Sequence, residues 1–187
     1  MDNTEQKIIA ACKAGEMESF VFLYDRYVEK IYKFLYFRTF NQHLAEDITS
    51  QTFLKCMNKI STFNETKGTF QAWLYQIARN LLIDEYRKQK PTENIDAHYN
   101  IASNINLENE TDQTLNNEAL RKLLMTLPSE AQELVSMRLW DELPYAEIAS
   151  ITGKTEGSLK MQFSRIVNQL QKQAHLLLTL VFLIKFI

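Results

Sequence analysis

The sequence predicts an all-α protein: two small helical domains joined by a flexible acidic linker, the second containing a helix-turn-helix. Three observations lead there. The 187 residues include only 4 glycines and 3 prolines, about a third of the roughly 12% expected from average usage, too few for a hairpin-rich β protein. Apolar residues make up 45% of the chain and recur over long stretches at i, i+3, i+4, i+7, the spacing of one buried helical face. Between residues 91 and 117 that period lapses, and the stretch holds seven asparagines and five acids without a lysine or arginine.

A short first helix is expected around Ile8, Ile9, Ala11 and Cys12, ending before Gly15. Phe20, Leu23, Tyr24, Tyr27, Ile31, Phe34 and Leu35 then mark one face of a long helix from Met17 to Phe40. A third runs from Leu44 to Ile60, with Ala45, Ile48, Phe53, Met57 and Ile60 inward. Ser61 to Thr69 is polar and contains Gly68, the composition of a loop. The fourth helix carries Phe70, Trp73, Leu74, Ile77, Ala78, Leu81 and Leu82 inward and closes on Arg87-Lys88, cations that complement its C-terminal dipole. Pro91 stops it.

Beyond the linker the helical period returns at Ala119, Leu120, Leu123, Leu124 and Leu127. Ser129 with Gln132 three residues on is the pattern of a capping box, opening a helix with Leu134, Val135 and Leu139. A helix from Pro144 to Ser150, a break at 151–154 and a helix after Thr155, with Leu159, Phe163, Ile166 and Leu170 inward, complete the domain. The expected division is 1–90, linker 91–117, second domain 118–174 and a tail at 175–187.

Composition also excludes chemistry. A phosphate-cradling glycine loop needs clustered glycines, which are missing. Cys12 and Cys56 are isolated, so neither a disulfide framework nor a metal set is expected, as in a reducing cytosol. Residues 1–19 are polar, unlike a signal peptide. His43, His98 and His175 are far apart and lack motif partners. No catalytic residues, metal or cofactor are therefore expected, and the chain reads as a cytoplasmic protein that is not an enzyme.

Two segments point to nucleic acid. Ala149, Gly153 and Leu159 have the spacing of a helix-turn-helix: a small residue where the helices cross, a glycine at the turn, and an apolar return to the core. Thr155 can cap the second helix, whose outer face then presents Glu156, Ser158, Lys160, Met161, Gln162, Ser164 and Arg165, side chains suited to base edges and phosphates. Against this stands the plain fact that glycine-joined short helices are ordinary in bundles. The second segment sets Phe63, Phe70, Trp73 and Tyr75 among Lys67, Arg79, Arg87, Lys88 and Lys90, aromatics beside cations, as unstacked bases require. Asn64 and Thr66 could read the edge of an extruded base. For Trp73 and Phe70 core packing is the stronger alternative, whereas Tyr75 and Asn80 lie off that stripe.

Three motifs then carry a resemblance. Leu44-Ala45-Glu46-Asp47-Ile48-Thr49-Ser50-Gln51-Thr52-Phe53-Leu54 resembles the AED-x-x-Q-x-x-F segment of bacterial sigma factors. Gly68 to Asn80 (GTFQAWLYQIARN) resembles their F-x-x-W-L-x-x-I-A-x-N helix, and Leu127-Pro128, Tyr145 to Ala149 and Gly157 to Lys160 resemble their C-terminal helix-turn-helix. The linker, with no additional helical domain, is similar to that of the extracytoplasmic-function group. The resemblance implies a non-enzymatic initiation subunit that binds the clamp and flap regions of core RNA polymerase. Asp47, Ser50, Gln51 and Leu54 would face the polymerase. Phe63, Asn64, Thr66, Lys67, Trp73, Tyr75, Arg79, Asn80 and Arg87 would take single-stranded DNA of the −10 element. Thr155, Glu156, Ser158, Lys160, Met161, Ser164 and Arg165 would read the −35 element as duplex. The acidic linker would run inside the polymerase, its carboxylates standing in for phosphates, and an anti-sigma factor would be a further partner. Thr52 replaces a common acidic residue, and Met161, Gln162 and Val167 stand where Ser or Arg are frequent. A stand-alone helix-turn-helix regulator is the alternative, but it gives no reason for the first-domain motifs.

Ten of the thirteen residues 175–187 are apolar. As helix they span about 20 Å, short of the roughly 30 Å hydrocarbon core. Packing on the second domain or on a partner is the reading weighed above contact with a membrane surface. The net charge of −2 averages +2 for residues 1–90, −5 for 91–117 and +1 for 118–187. It therefore does not argue against DNA.

Overall fold

The computed structural model describes residues 3–89, Lys122 and 124–184. Among them there is no strand. The expected linker 91–117 and the start of the stripe at Ala119, Leu120 and Leu123 lie outside the described residues.

Helix α1 (Asn3–Lys13) leads through a turn at Gly15 into α2 (Phe20–Thr39). Helix α3 (Gln42–Lys59) follows at once, because Phe40 adopts a left-handed conformation (φ 47°) and Asn41 caps α3 by accepting from the Leu44 N–H at 3.1 Å. Two 3₁₀ turns, Ile60–Thr62 and Glu65–Lys67, occupy the expected loop. Thr69 then starts α4 (Phe70–Gln89), its hydroxyl accepting from the Ala72 N–H at 3.1 Å. The apolar faces inferred from spacing meet here: Leu23, Ile31, Leu35, Ala45, Phe70, Leu74 and Leu82 are fully buried. Thr52 is also fully buried, donating to the Ile48 carbonyl at 2.7 Å.

In the C-terminal half, α5 (Ser129–Val135) passes into a π turn, Ser136–Trp140. Helix α6 (Tyr145–Thr152) and α7 (Glu156–Ile184) enclose the break at Gly153 (φ 74°). Two expectations are corrected. Ser129 does not build a capping box: Pro128 is the cap residue, and the Gln132 amide instead donates to the carbonyls of Leu124 and Leu127 at 3.1 and 3.0 Å. The side chain thus closes the end of the preceding turn of helix rather than the start of its own. Leu139, expected inward, is exposed, because the wider π turn rotates it off the buried stripe.

The described part of the tail is no separate helix. Its backbone continues α7 without a break to Ile184, giving a rod of 29 residues, about 44 Å long. Among the described residues no helix is long and apolar enough to cross a membrane.

The two halves pack on one another, and their apolar residues form one continuous buried cluster. The ends of α2 and α4 receive α5, the π turn and α6. Phe37 stacks on Trp140 with ring centroids 4.5 Å apart. Polar contacts surround that stack, and they determine how the candidate site is presented.

Candidate nucleic-acid interface

On α7, Thr155 accepts from the Ser158 N–H at 3.3 Å and so caps the first turn. Leu159 and Ile166 are buried, which fixes the opposite face outward. Thr155, Glu156, Ser158, Lys160, Met161, Ser164 and Arg165 are all exposed on that face. Met161 stands out as an apolar side chain with 60% exposure. Lys160 lies 3.5 Å from Glu156 and 5.6 Å above the Tyr145 ring, contacts weak enough at a solvated surface to yield to a phosphate. Gly153 donates to the Ala149 carbonyl at 2.9 Å, so the turn has the geometry that the glycine and small-residue spacing implied. The described structure thus leaves this face of α7 uncovered.

Helix α3 exposes a second face. Asp47, Ser50, Gln51 and Leu54 all lie on its outer side. The Gln51 amide donates to Asp47 at 3.0 Å, and Ser50 is tied to the Glu46 carbonyl. Leu54 is 57% exposed with its neighbour Phe53 buried, an apolar patch rimmed by polar groups.

The residues expected to meet single-stranded DNA are divided by the fold. Asn64, Thr66, Lys67, Asn80 and Arg87 are exposed. Asn64 holds the loop in shape, accepting from the Thr66 N–H and hydroxyl at 2.9 and 2.8 Å. Trp73 is partly buried against Phe63 and Phe70, in line with its core alternative. Tyr75 is corrected outright: rather than lying off the stripe it is fully buried, packed on Phe34 at 5.1 Å. It shares a helical stripe with the buried Ala78 and Leu82, at i+3 and i+7, and that stripe meets α2 through Phe34. Phe63 is likewise covered, with Lys13 over its ring at 5.2 Å. Neither ring is open to stack on a base in this arrangement.

Arg79 is partly exposed and already engaged. Its Nε donates to Glu133 of α5 at 2.8 Å. Arg38 lies 3.8 Å from the other oxygen of the same carboxylate and donates to the Ser129 carbonyl. Glu133 is almost completely buried, so this is a charge held by two guanidiniums away from water. At the start of α4, the Thr69 hydroxyl donates to the partly buried Glu147 of α6 at 2.9 Å. Close by, Asp141 sits beside Tyr75, and burial pushes its carboxyl up to about 6 against the opposing pull of Tyr75, Lys30 and Lys33. Burial also pushes the Cys56 thiol up to about 12 and raises Cys12, so neither is a reactive thiolate at neutral pH. Among the described residues no group of histidines, cysteines and acids could hold a metal ion. Glu133, Glu147, Arg38 and Asp141 were invisible as a set in the sequence, since nothing in it announced which faces the two halves share.

Comparisons with known proteins place this geometry in context. The family model "Sigma-70 region 2" matches residues 23–92, and "Sigma-70, region 4" matches residues 117–170. The ECF RNA polymerase sigma factor BldN of Streptomyces coelicolor is 34% identical over 89% of the chain, which spans 64% of that relative's length. The ECF RNA polymerase sigma factor SigW of Bacillus subtilis is 30% identical, the match covering 92% of this chain and 98% of SigW. The sigma factor RpoE of Bartonella quintana, solved in complex with the anti-sigma factor NepR, shares the fold with a TM-score of 0.69 at 22% identity. That match covers 83% of this chain and 96% of RpoE.

Proposed function

The chain belongs to the sigma-70 family, in its extracytoplasmic-function group, and from that premise we propose how its residues divide the work. It directs core RNA polymerase to promoters in transcription initiation. The observation that carries the detailed reading is the pairing of two uncovered faces. One is the capped recognition face of α7 from Thr155 to Arg165; the other is the Asp47–Leu54 face of α3.

In this reading α7 enters the major groove of the −35 element. Ser158 and Met161 reach base edges, and Lys160 and Arg165 neutralise phosphates. The α3 face docks on the polymerase clamp. The Asn64–Lys67 loop with Arg79, Asn80 and Arg87 takes the unpaired −10 strand, where exposed amides can read base edges and cations meet phosphate. Tyr75, Phe63 and Trp73 then act by shaping that surface unless the halves part. The polymerase supplies the catalytic chemistry, and the sigma subunit needs no cofactor of its own. The domain limits are placed at 1–90, 91–117 and 118–174, and a cytoplasmic location follows from work on the polymerase. An anti-sigma partner is part of the proposal, supported by the solved complex of RpoE with NepR. Co-purification with core enzyme followed by run-off transcription tests the whole. Programmed initiation supports it, and DNA binding without any effect on core enzyme returns the chain to the class of stand-alone regulators.

A further inference from the structure

Resting on the reading of α7 as the helix that enters the −35 duplex, we propose that Met161 reads the 5-methyl group of one thymine in the major groove. That thymine then becomes a requirement of the promoter.

Met161 occupies the middle of the outward face. Leu159 and Ile166 are buried, with Phe163 and Leu170 partly buried beside them. At 3.6 residues per turn the centre of that stripe lies opposite Met161. Its neighbours one turn away on either side are Gly157, Ser158, Ser164 and Arg165. Three of the four are small, so the thioether chain stands above them, 60% exposed. Helical side chains lean towards the N-terminus, which lays Met161 over the first turn, the part of a recognition helix that meets base edges. That turn holds Gly157, and no atom lies within 4 Å of where its Cβ would be. Nothing inside the described chain therefore calls for a glycine there, although glycine weakens a helix. A close approach of the helix backbone to the groove does.

The charge around Met161 selects a polyanion as the occupant. Lys160 and Arg165 are exposed on either side of it, Lys172 follows two turns beyond Arg165, and residues 157–184 contain no acid. Glu156, in the first turn, lies 3.5 Å from Lys160. In a major groove the phosphates take the cations, and base edges are left facing Met161. A thioether donates no hydrogen bond and accepts only weakly. Set against the amino, carbonyl or ring-nitrogen groups of guanine, cytosine and adenine, it displaces water without replacing the hydrogen bonds. Thymine alone offers an apolar group there, its C5 methyl. The unbranched, polarizable side chain can adjust to meet it.

The test uses holoenzyme reconstituted from core polymerase and the full chain, with a duplex library randomised over the −35 region. Selection should enrich a −35 sequence containing thymine. Each enriched thymine is then replaced in turn by deoxyuridine, which removes one methyl and no hydrogen-bonding group. At one of them holoenzyme binding should weaken about fourfold, the worth of burying one methyl-sized group. Met161→Ser, an exposed substitution, should bind the dT and dU duplexes equally and accept other bases at that position. Met161→Leu should keep the preference. If deoxyuridine is tolerated at every enriched thymine, or if Met161→Ser retains the penalty, Met161 reads no methyl group, and the enrichment alone upholds α7 as the duplex reader. If selection is indifferent to the −35 region, the reading of α7 fails and the proposal with it.

Discussion

Phe37 at the end of α2 and Trp140 in the π turn lie face to face, centroids 4.5 Å apart and planes 15° from parallel. They join two halves that the sequence presents as separate. The π turn is what delivers the indole: a regular helix through Ser136–Trp140 would place it on another bearing. Trp140→Ala should therefore lower stability by about 2–3 kcal/mol, a partly buried aromatic losing area and stacking. Chemical denaturation measures this. A loss under 0.5 kcal/mol would show that the halves do not rely on the stack.

Asp141 gives the contact a dependence on pH. Its carboxyl protonates at about 6 in the folded protein against an ordinary 3.8, burial being the chief cause, and Oδ2 has no hydrogen-bond partner among the described residues. The folded state holds the proton more tightly than the unfolded chain, so the ionised group destabilises fully above pH 6. That penalty shrinks as pH falls through 6 and is gone below 3.8. Asp141→Asn should thus be more stable than the parent at pH 7.5 by about 2–3 kcal/mol, with the advantage vanishing near pH 4. Denaturation across that range is the measurement, and a pH-independent difference would contradict it.

Gly153 holds the turn of the helix-turn-helix at φ 74°, with nothing within 4 Å of where a Cβ would sit. Substitution therefore strains backbone only. Gly153→Ala should cost about 1–2 kcal/mol and Gly153→Asn less, since asparagine tolerates the left-handed region. Thermal melts of the two variants decide it. Equal losses would mean that packing, not backbone conformation, sets the requirement.

Lys160→Ala and Arg165→Ala, both exposed on α7, should weaken holoenzyme binding to promoter duplex. Each should also flatten the slope of log affinity against log salt by about 0.9. Titration at several salt concentrations reads the slope. Weakened affinity with an unaltered slope would assign these cations to something other than phosphate.

Much of the fold was legible because burial follows helical periodicity. Leu23, Ile31, Leu74, Leu159 and Ile166 are buried as their spacing required, and Thr155 caps where its position suggested. What could not be read was the mating of the halves. Gln132 has the right type and spacing for a capping box, yet its amide found two free carbonyls at the end of the preceding turn. Tyr75 looked available because only the Phe70–Trp73–Ile77 stripe was counted; with Ala78 and Leu82 it forms a second buried face of α4, packed on Phe34 of α2. Glu133 and Arg38 are ordinary surface residues by composition, and only the fold makes them a buried pair.

Permanganate footprinting of a promoter complex reconstituted with core polymerase tests the central assignment most directly. Wild-type protein should render thymines of the −10 region reactive. Asn80→Ala, an exposed residue on α4, should lose most of that reactivity while retaining closed-complex binding. Wild-type reactivity in Asn80→Ala, or no reactivity with the parent chain itself, would contradict the account.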